Sequence, residues 1–147
     1  MATSPFANHI VFADNRAKAV VIENKRRYCG NNIDTKQLYM HKVDGGLISD
    51  TTKSKCDFLL LSYSKSDDSA YFIELKGTDF VHAVEQILST YQELKSQLVD
   101  FNLNGRVVVT KFHAPDLSNS KLDRLKRILK QHNGTFNKAE KNFEENI

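Results

Sequence analysis

Two short apolar runs, Phe58 to Leu61 and Ala70 to Ile73, flank a polar stretch from Tyr63 to Ser69 that is rich in Ser and Asp. That is the pattern of a β-hairpin with a medium-length loop. Upstream, Ala17, Val20, Val21 and Tyr28 recur near a 3.6-residue period between Asp14, a capping residue, and Gly30, a helix stop, which predicts a first helix over Asp14 to Tyr28. Asn31 to Ser54 is polar and turn-rich, with Leu38 and Met40 as the core of a short strand and with Asp44 and Asp50 read as turn residues. Downstream, Val84, Ile87, Leu88, Tyr91, Leu94 and Leu98 form one stripe of a helix from Phe80 to Val99. Gly105 ends a turn, Arg106 to Phe112 reads as a buried strand, and Leu122, Leu125, Ile128 and Leu129 mark a further helix that stops near Gly134. Thr135 and Phe136 suggest an edge strand, and Asn137 to Ile147 reads as a polar, poorly ordered tail. The expected fold is α/β, one domain over residues 1–136 with a mixed sheet between helices, in the order helix, hairpin, helix, strand, helix.

The hairpin carries the chemistry. Placing Leu61 opposite Ala70 sets Asp57 opposite Glu74, and directly opposed side chains on one face have Cβ atoms only ~5 Å apart. Side chains alternate along a strand, so Phe72, Glu74 and Lys76 share a face with Asp57. Two opposed carboxylates repel, and a divalent cation between them removes that cost. Mg²⁺ suits such a pair, since it prefers oxygen ligands and takes few protein carboxylates. The bland reading of the same residues is an exposed hairpin with ordinary surface charges, and a one-residue slip would turn Asp57 to the other face.

Asp57, an apolar strand, and Glu74-Leu75-Lys76 closing a second strand together resemble the PD-(D/E)xK nuclease superfamily, which includes many restriction endonucleases, Holliday junction resolvases and the lambda exonuclease group. The resemblance covers roughly Lys55 to Tyr91, with Cys56 where the motif name has proline. It implies a restriction-endonuclease-like core in which Asp57 and Glu74 hold Mg²⁺, with Mn²⁺ able to substitute, and Lys76 assists the attacking water. Gln86, on the following helix, is similar in placement to a glutamine that reaches the active site in several branches. The QxxxY spacing of one branch is not met, because Tyr91 falls one residue late. Glu23 matches the further acidic ligand that the first helix of the fold often supplies; a solvated glutamate is the alternative. The activity implied is a metal-dependent nuclease, an endonuclease acting on DNA in the first instance, working as a homodimer or with a partner subunit where both strands are cut. The alternative is an inactive nuclease-like module that binds nucleic acid or a partner protein.

Charge adds candidate contacts. The 147 residues carry a net charge of +3, mildly basic and compatible with a polyanion. Lys25, Arg26 and Arg27 either complement a helix C-terminus or contact phosphate. His82 is a candidate phosphate contact, with a partly exposed helical histidine as its bland reading. Lys121, Arg124, Lys126, Arg127 and Lys130 make the strongest basic concentration, offset only by Asp123, and this face can follow a nucleic-acid backbone. Cys29 and Cys56 follow no metal or disulfide spacing, and the histidines show none of the HExxH kind. Met1 to Ala13 lacks the basic start and apolar run of a leader, and nothing approaches the ~20 apolar residues of a membrane span, so a soluble, cytoplasmic protein is expected.

Overall fold

A computed structural model of the chain describes residues 3–50, 52, 54–75, 77, 79–113 and 119–147. Its strands are β1 (Ile10–Asp14), β2 (Lys18–Glu23), β3 (Arg26–Asn31), β4 (Gln37–Lys42), β5 (Phe58–Tyr63), β6 (Asp68–Leu75), β7 (Phe101–Val109), β8 (Phe136–Glu140) and β9 (Asn142–Asn146), and its helices are α1 (Phe80–Leu94) and α2 (Ser120–Gln131). Six strands form one mixed sheet in the order β1-β4-β5-β6-β7-β8, antiparallel up to β6 and parallel from there. A smaller sheet, β2-β3-β9, covers its other face. The class is α/β, in three layers: helices, large sheet, small sheet.

The alternation of β6 explains the layering. Ala70 and Phe72 point into the helix-side core with Leu59, Leu61, Val84, Ile87 and Leu125, while Tyr71, Ile73 and Leu75 point into a second core shared with Ala19, Val21, Tyr28 and Ile147 of the small sheet. A strand buried on both faces reads as a continuous apolar run, as the sequence of β6 does. Helix α1 turns Phe80, Ala83, Val84, Ile87, Leu88 and Leu94 inward, and the Asp79 side chain caps it by accepting from His82 N–H at 2.9 Å. Asn119 caps α2 in the same way through two backbone N–H groups, ahead of the serine hydroxyl of Ser120.

Three expectations are corrected. Asp14 to Tyr28 is not a helix: most of it belongs to the antiparallel β2–β3 hairpin, with Val21 paired to Tyr28 and Ala19 to Gly30. The β-branched run Val20-Val21-Ile22 packs better on a pleated surface than in a helix. Asn24 and Lys25 both adopt left-handed φ, 49° and 67°, the geometry of a tight two-residue hairpin turn. Gly30 is no helix stop but a packing residue, since a Cβ there would lie 2.9 Å from Ile147 Cδ1. The large sheet therefore has helices on one face only, not both. Second, Gly105 sits inside β7, beneath Leu129 and Phe136, and the strand begins at Phe101. Third, residues 137–147 are not a loose tail. Lys141, at φ 66°, turns the chain between β8 and β9, so β8 joins the large sheet and β9 the small one. Within α1 and α2, no helix is long and apolar enough to cross a membrane among the described residues.

The small sheet is held down by a buried ion pair. Arg106, on β7 and 4% exposed, donates from Nε to Glu145 Oε2 on β9 at 2.8 Å, and the Tyr28 hydroxyl donates to the same oxygen at 2.8 Å. Arg106 also donates to the Thr135 carbonyl and hydroxyl and lies over the ring of Tyr71. Burial first, and then the Glu145 charge, keeps the Tyr28 hydroxyl well above the usual phenol range, so it stays a donor. Removing one partner strands the other charge in the interior, which costs about 3 to 5 kcal/mol, whereas replacing both by apolar residues costs far less. Arg106→Ala is thus expected to lose stability of that order in urea unfolding, and Arg106→Met with Glu145→Leu to lose much less.

Candidate active site

The backbone pairing of β5 with β6 runs from Ser62–Ser69 to Phe58–Ile73, which is the register that places Asp57 opposite Glu74. Beyond Phe58 the two carboxylates carry the pairing onward. Asp57 N–H donates to Glu74 Oε1 at 3.0 Å, and Leu75 N–H donates to Asp57 Oδ2 at 2.8 Å. Each strand end is capped by the other strand's side chain. The Asp57 carbonyl accepts from Val43 N–H at 2.9 Å, so the same residue also fixes the exit of β4.

Helix α1 reaches this corner through polar side chains. Gln86 Nε2 donates to the Lys55 carbonyl at 3.1 Å, and Cys56 N–H donates to Thr90 Oγ1 at 2.8 Å. These bonds hold the segment before β5 against the helix. Thr90 stands where the QxxxY spacing would put tyrosine, and it serves this backbone contact. Burial first, and then the charge of Glu74, drives the Cys56 thiol well above its ordinary value, so it is held as a protonated core residue rather than a nucleophile.

A cleft of about 260 Å³ opens at the corner, lined by Glu23, Asn24, Arg26, Asp44, Asp57, Glu74, Leu75, Gly77 and Gln86. A second hollow of about 440 Å³ adjoins it and shares Glu23, Asp44 and Asp57. Glu23 comes from the end of β2 rather than from a helix, because the tip of the small sheet overhangs the end of the large one. Asp44, read from sequence as a turn residue, also lines the cleft, with Lys55 Nζ 3.8 Å from its carboxylate. Arg26 was a candidate phosphate contact from the sequence, whereas Asn24 and Asp44 are lining residues that were not site candidates. The helical reading of residues 14–28 hid Asn24, since only the hairpin brings its turn to the cleft.

Desolvation raises the Asp57 carboxyl from an ordinary 3.8 to about 6; the charges of Glu23 and Asp44 add to the rise, and the bonds to Leu75 and Glu74 oppose it. Glu74 is 1% exposed. The side chains lining the cleft that could ligate a cation are four carboxylates and the amides of Asn24 and Gln86. Such a set suits a hard cation such as Mg²⁺ rather than zinc. Among the described residues no three His, Cys, Asp or Glu side chains are drawn together as a metal cluster. A Mg²⁺ ion takes as few as one or two protein carboxylates, so Asp57 and Glu74 are the residues that could hold it, with Glu23 at the rim.

The remaining sequence candidates divide. Lys76 lies outside the described residues. Arg26 lines the cleft, Lys25 is exposed in the hairpin turn, and Arg27 turns to β9, where it meets Asn142 and Glu144. His82, in the first turn of α1, faces Glu85 at 3.9 Å and does not line the cleft. Lys121 pairs with the same Glu85, and Arg124 and Arg127 are exposed on the outer face of α2. Searched against protein-family models, curated proteins and solved structures, the chain matches none of them.

The raised Asp57 carboxyl has a consequence for stability. Its folded value lies above the unfolded one, so the contribution of the protonated form is complete below about pH 4 and is lost as pH rises through about 6. In EDTA, the difference in melting temperature between wild type and Asp57→Asn is expected to move against the wild type across that window and to level off above it. A difference independent of pH from about 4 to 8 contradicts the burial of a raised carboxyl here.

Proposed function

We propose that the protein is a Mg²⁺-dependent nuclease of the PD-(D/E)xK kind, with a restriction-endonuclease-like core running from β5 through α2, and that it hydrolyses phosphodiester bonds, in DNA first of all. One observation carries the reading: Asp57 and Glu74, distant by a whole hairpin in sequence, cap each other's strands at the mouth of one cleft with Gln86 beside them. Asp57 and Glu74 would hold the cation, with Glu23 as a further carboxylate at the rim. A divalent ion bound there supplies Lewis acidity, which lowers the pKa of a bound water and offsets charge developing on the phosphate. Gln86 orients the water through its carbonyl oxygen. Lys76, two residues beyond Glu74, assists proton removal and stabilises the added negative charge. The exposed face of α2, with Lys121, Arg124 and Arg127, draws the backbone of the polymer electrostatically.

A second reading rests on a specific observation of its own. Both carboxylates are engaged in backbone hydrogen bonds, which is a structural use for an acidic pair in a module that binds nucleic acid or a protein without cutting. Cleavage of supercoiled plasmid, linear duplex, single-stranded DNA and RNA with Mg²⁺, Mn²⁺ or EDTA separates the two. Metal-dependent products are expected from the wild type, reduced on the order of a thousandfold or more in Glu74→Ala and in Lys76→Ala with the fold intact. Full activity in Lys76→Ala rules out its assignment. Salt-dependent DNA binding with no product under any condition favours the binding module.

A further inference from the structure

Among the three consecutive cations of the β2–β3 turn, Arg26 alone lines the cleft. Its guanidinium is anchored at one end, where Nη1 donates to Thr110 Oγ1 at 3.1 Å just past the end of β7. Its Nε is buried with no hydrogen-bond partner. The cleft presents four carboxylates, from Glu23, Asp44, Asp57 and Glu74, yet no carboxylate of the described residues pairs with Arg26. An arginine beside so much negative charge ordinarily forms a bidentate pair with one of the carboxylates. Here Thr110 holds the guanidinium by a neutral hydroxyl instead, and Arg26 lines the cleft with no carboxylate of the described residues paired to it. A guanidinium that is oriented but not paired with a carboxylate fits a ligand that brings a phosphate oxygen.

We infer that Arg26 is the residue that positions the scissile phosphate: its guanidinium, at the wall of the cleft, donates to a non-bridging phosphodiester oxygen while Thr110 fixes the plane of the guanidinium. This rests on the nuclease reading and adds to it a phosphate-binding group supplied by the small sheet. The turn that carries Arg26 is well suited to the task. Asn24 and Lys25 are both in the left-handed region, so the hairpin is short and stiff and sets the arginine at its base in one place. Charge alone is not the point of the arrangement. A lysine at this position restores the cation but not the planar, anchored guanidinium, so lysine and arginine are not equivalent here.

Arg26→Ala, Arg26→Gln and Arg26→Lys are compared with wild type and with Lys65→Ala, which removes one exposed cation from the β5–β6 loop outside the cleft. Melting temperature is recorded for each, and Arg26→Gln is the variant read if Arg26→Ala melts lower. With Mg²⁺ and an oligonucleotide substrate, kcat/KM is expected to fall about a hundredfold in Arg26→Ala. Arg26→Lys should recover less than about tenfold of that loss, and Lys65→Ala should stay near wild type. A separate arm, in EDTA, measures fluorescence anisotropy of labelled single-stranded and duplex oligonucleotides, with affinity expected to drop about tenfold in Arg26→Ala. That arm decides the inference even if the wild type cuts nothing, in which case the hydrolysis reading fails and Arg26 is judged as a phosphate-binding group alone. Wild-type values in both arms overturn the inference. So does an equal loss in Lys65→Ala, which would reduce Arg26 to general charge, and so does full recovery in Arg26→Lys.

Discussion

The contact between Arg106 and Glu145 ties the two sheets together, and the candidate site depends on that tie. Glu145 sits on β9, which pairs in parallel with β3, and β3 in turn carries the turn that ends in Arg26 and Glu23. Arg106 belongs to β7, beside β6 and Glu74. One buried ion pair, joined by the Tyr28 hydroxyl, therefore sets the height of the small sheet above the large one. A cleft whose walls come from both sheets needs that spacing fixed. Ion pairs in the interior offset their desolvation only when extra hydrogen bonds satisfy them, and Arg106 has those in Thr135 and in the Gly105 carbonyl. The partners are far apart in sequence, so the interaction also recruits the chain's last strand into the core.

Where the sheet ends, backbone pairing gives way to side-chain pairing. The reciprocal bonds of Asp57 and Glu74 put two carboxylates into a poorly hydrated corner that also faces Glu23 and Asp44. Such crowding works against folding at neutral pH, and proteins keep strain of this kind chiefly at sites of binding or catalysis. The same bonds fix one oxygen of each carboxylate, and both residues line the cleft. Helix α1 braces the corner through Gln86 and Thr90, so the site is built on a strand pair and a helix rather than on loops. Positions so braced hold geometry closely, as a metal site requires.

The hairpin from β5 to β6 was readable because its two apolar runs are long enough to set a register, and with them the opposition of Asp57 and Glu74. Helices α1 and α2 were readable for a similar reason: leucines and isoleucines repeat at helical spacing, and charges line the other face. The β2–β3 hairpin was not. Ala17, Val20, Val21 and Tyr28 fall near a helical period, and the turn that decides for strands is Asn24-Lys25, which lacks the glycine that usually marks it. The edge strand expected at Thr135 and Phe136 is the start of β8, but its length and all of β9 were missed because Phe143, Glu145 and Ile147 alternate within a run of charge, and because Glu145 is inward only by virtue of Arg106. Both failures share a cause. The small sheet is specified by long-range contacts to the large one, which local pattern does not contain. The cleft followed suit: Glu23 and Arg26 were candidates from the sequence, but the helix they were placed on was wrong, and only the stacked sheets bring them together with Asp57 and Glu74.

Binding of Mn²⁺ and of Mg²⁺ measured by titration calorimetry, on wild type and on Asp57→Asn of matched melting behaviour, tests the central claim most directly. The account expects saturable binding by the wild type, tighter at pH 7.5 than at pH 5 because the ligand must be deprotonated, and loss of that binding in Asp57→Asn. Equal binding by the two proteins, or none by the wild type at millimolar metal, would contradict it.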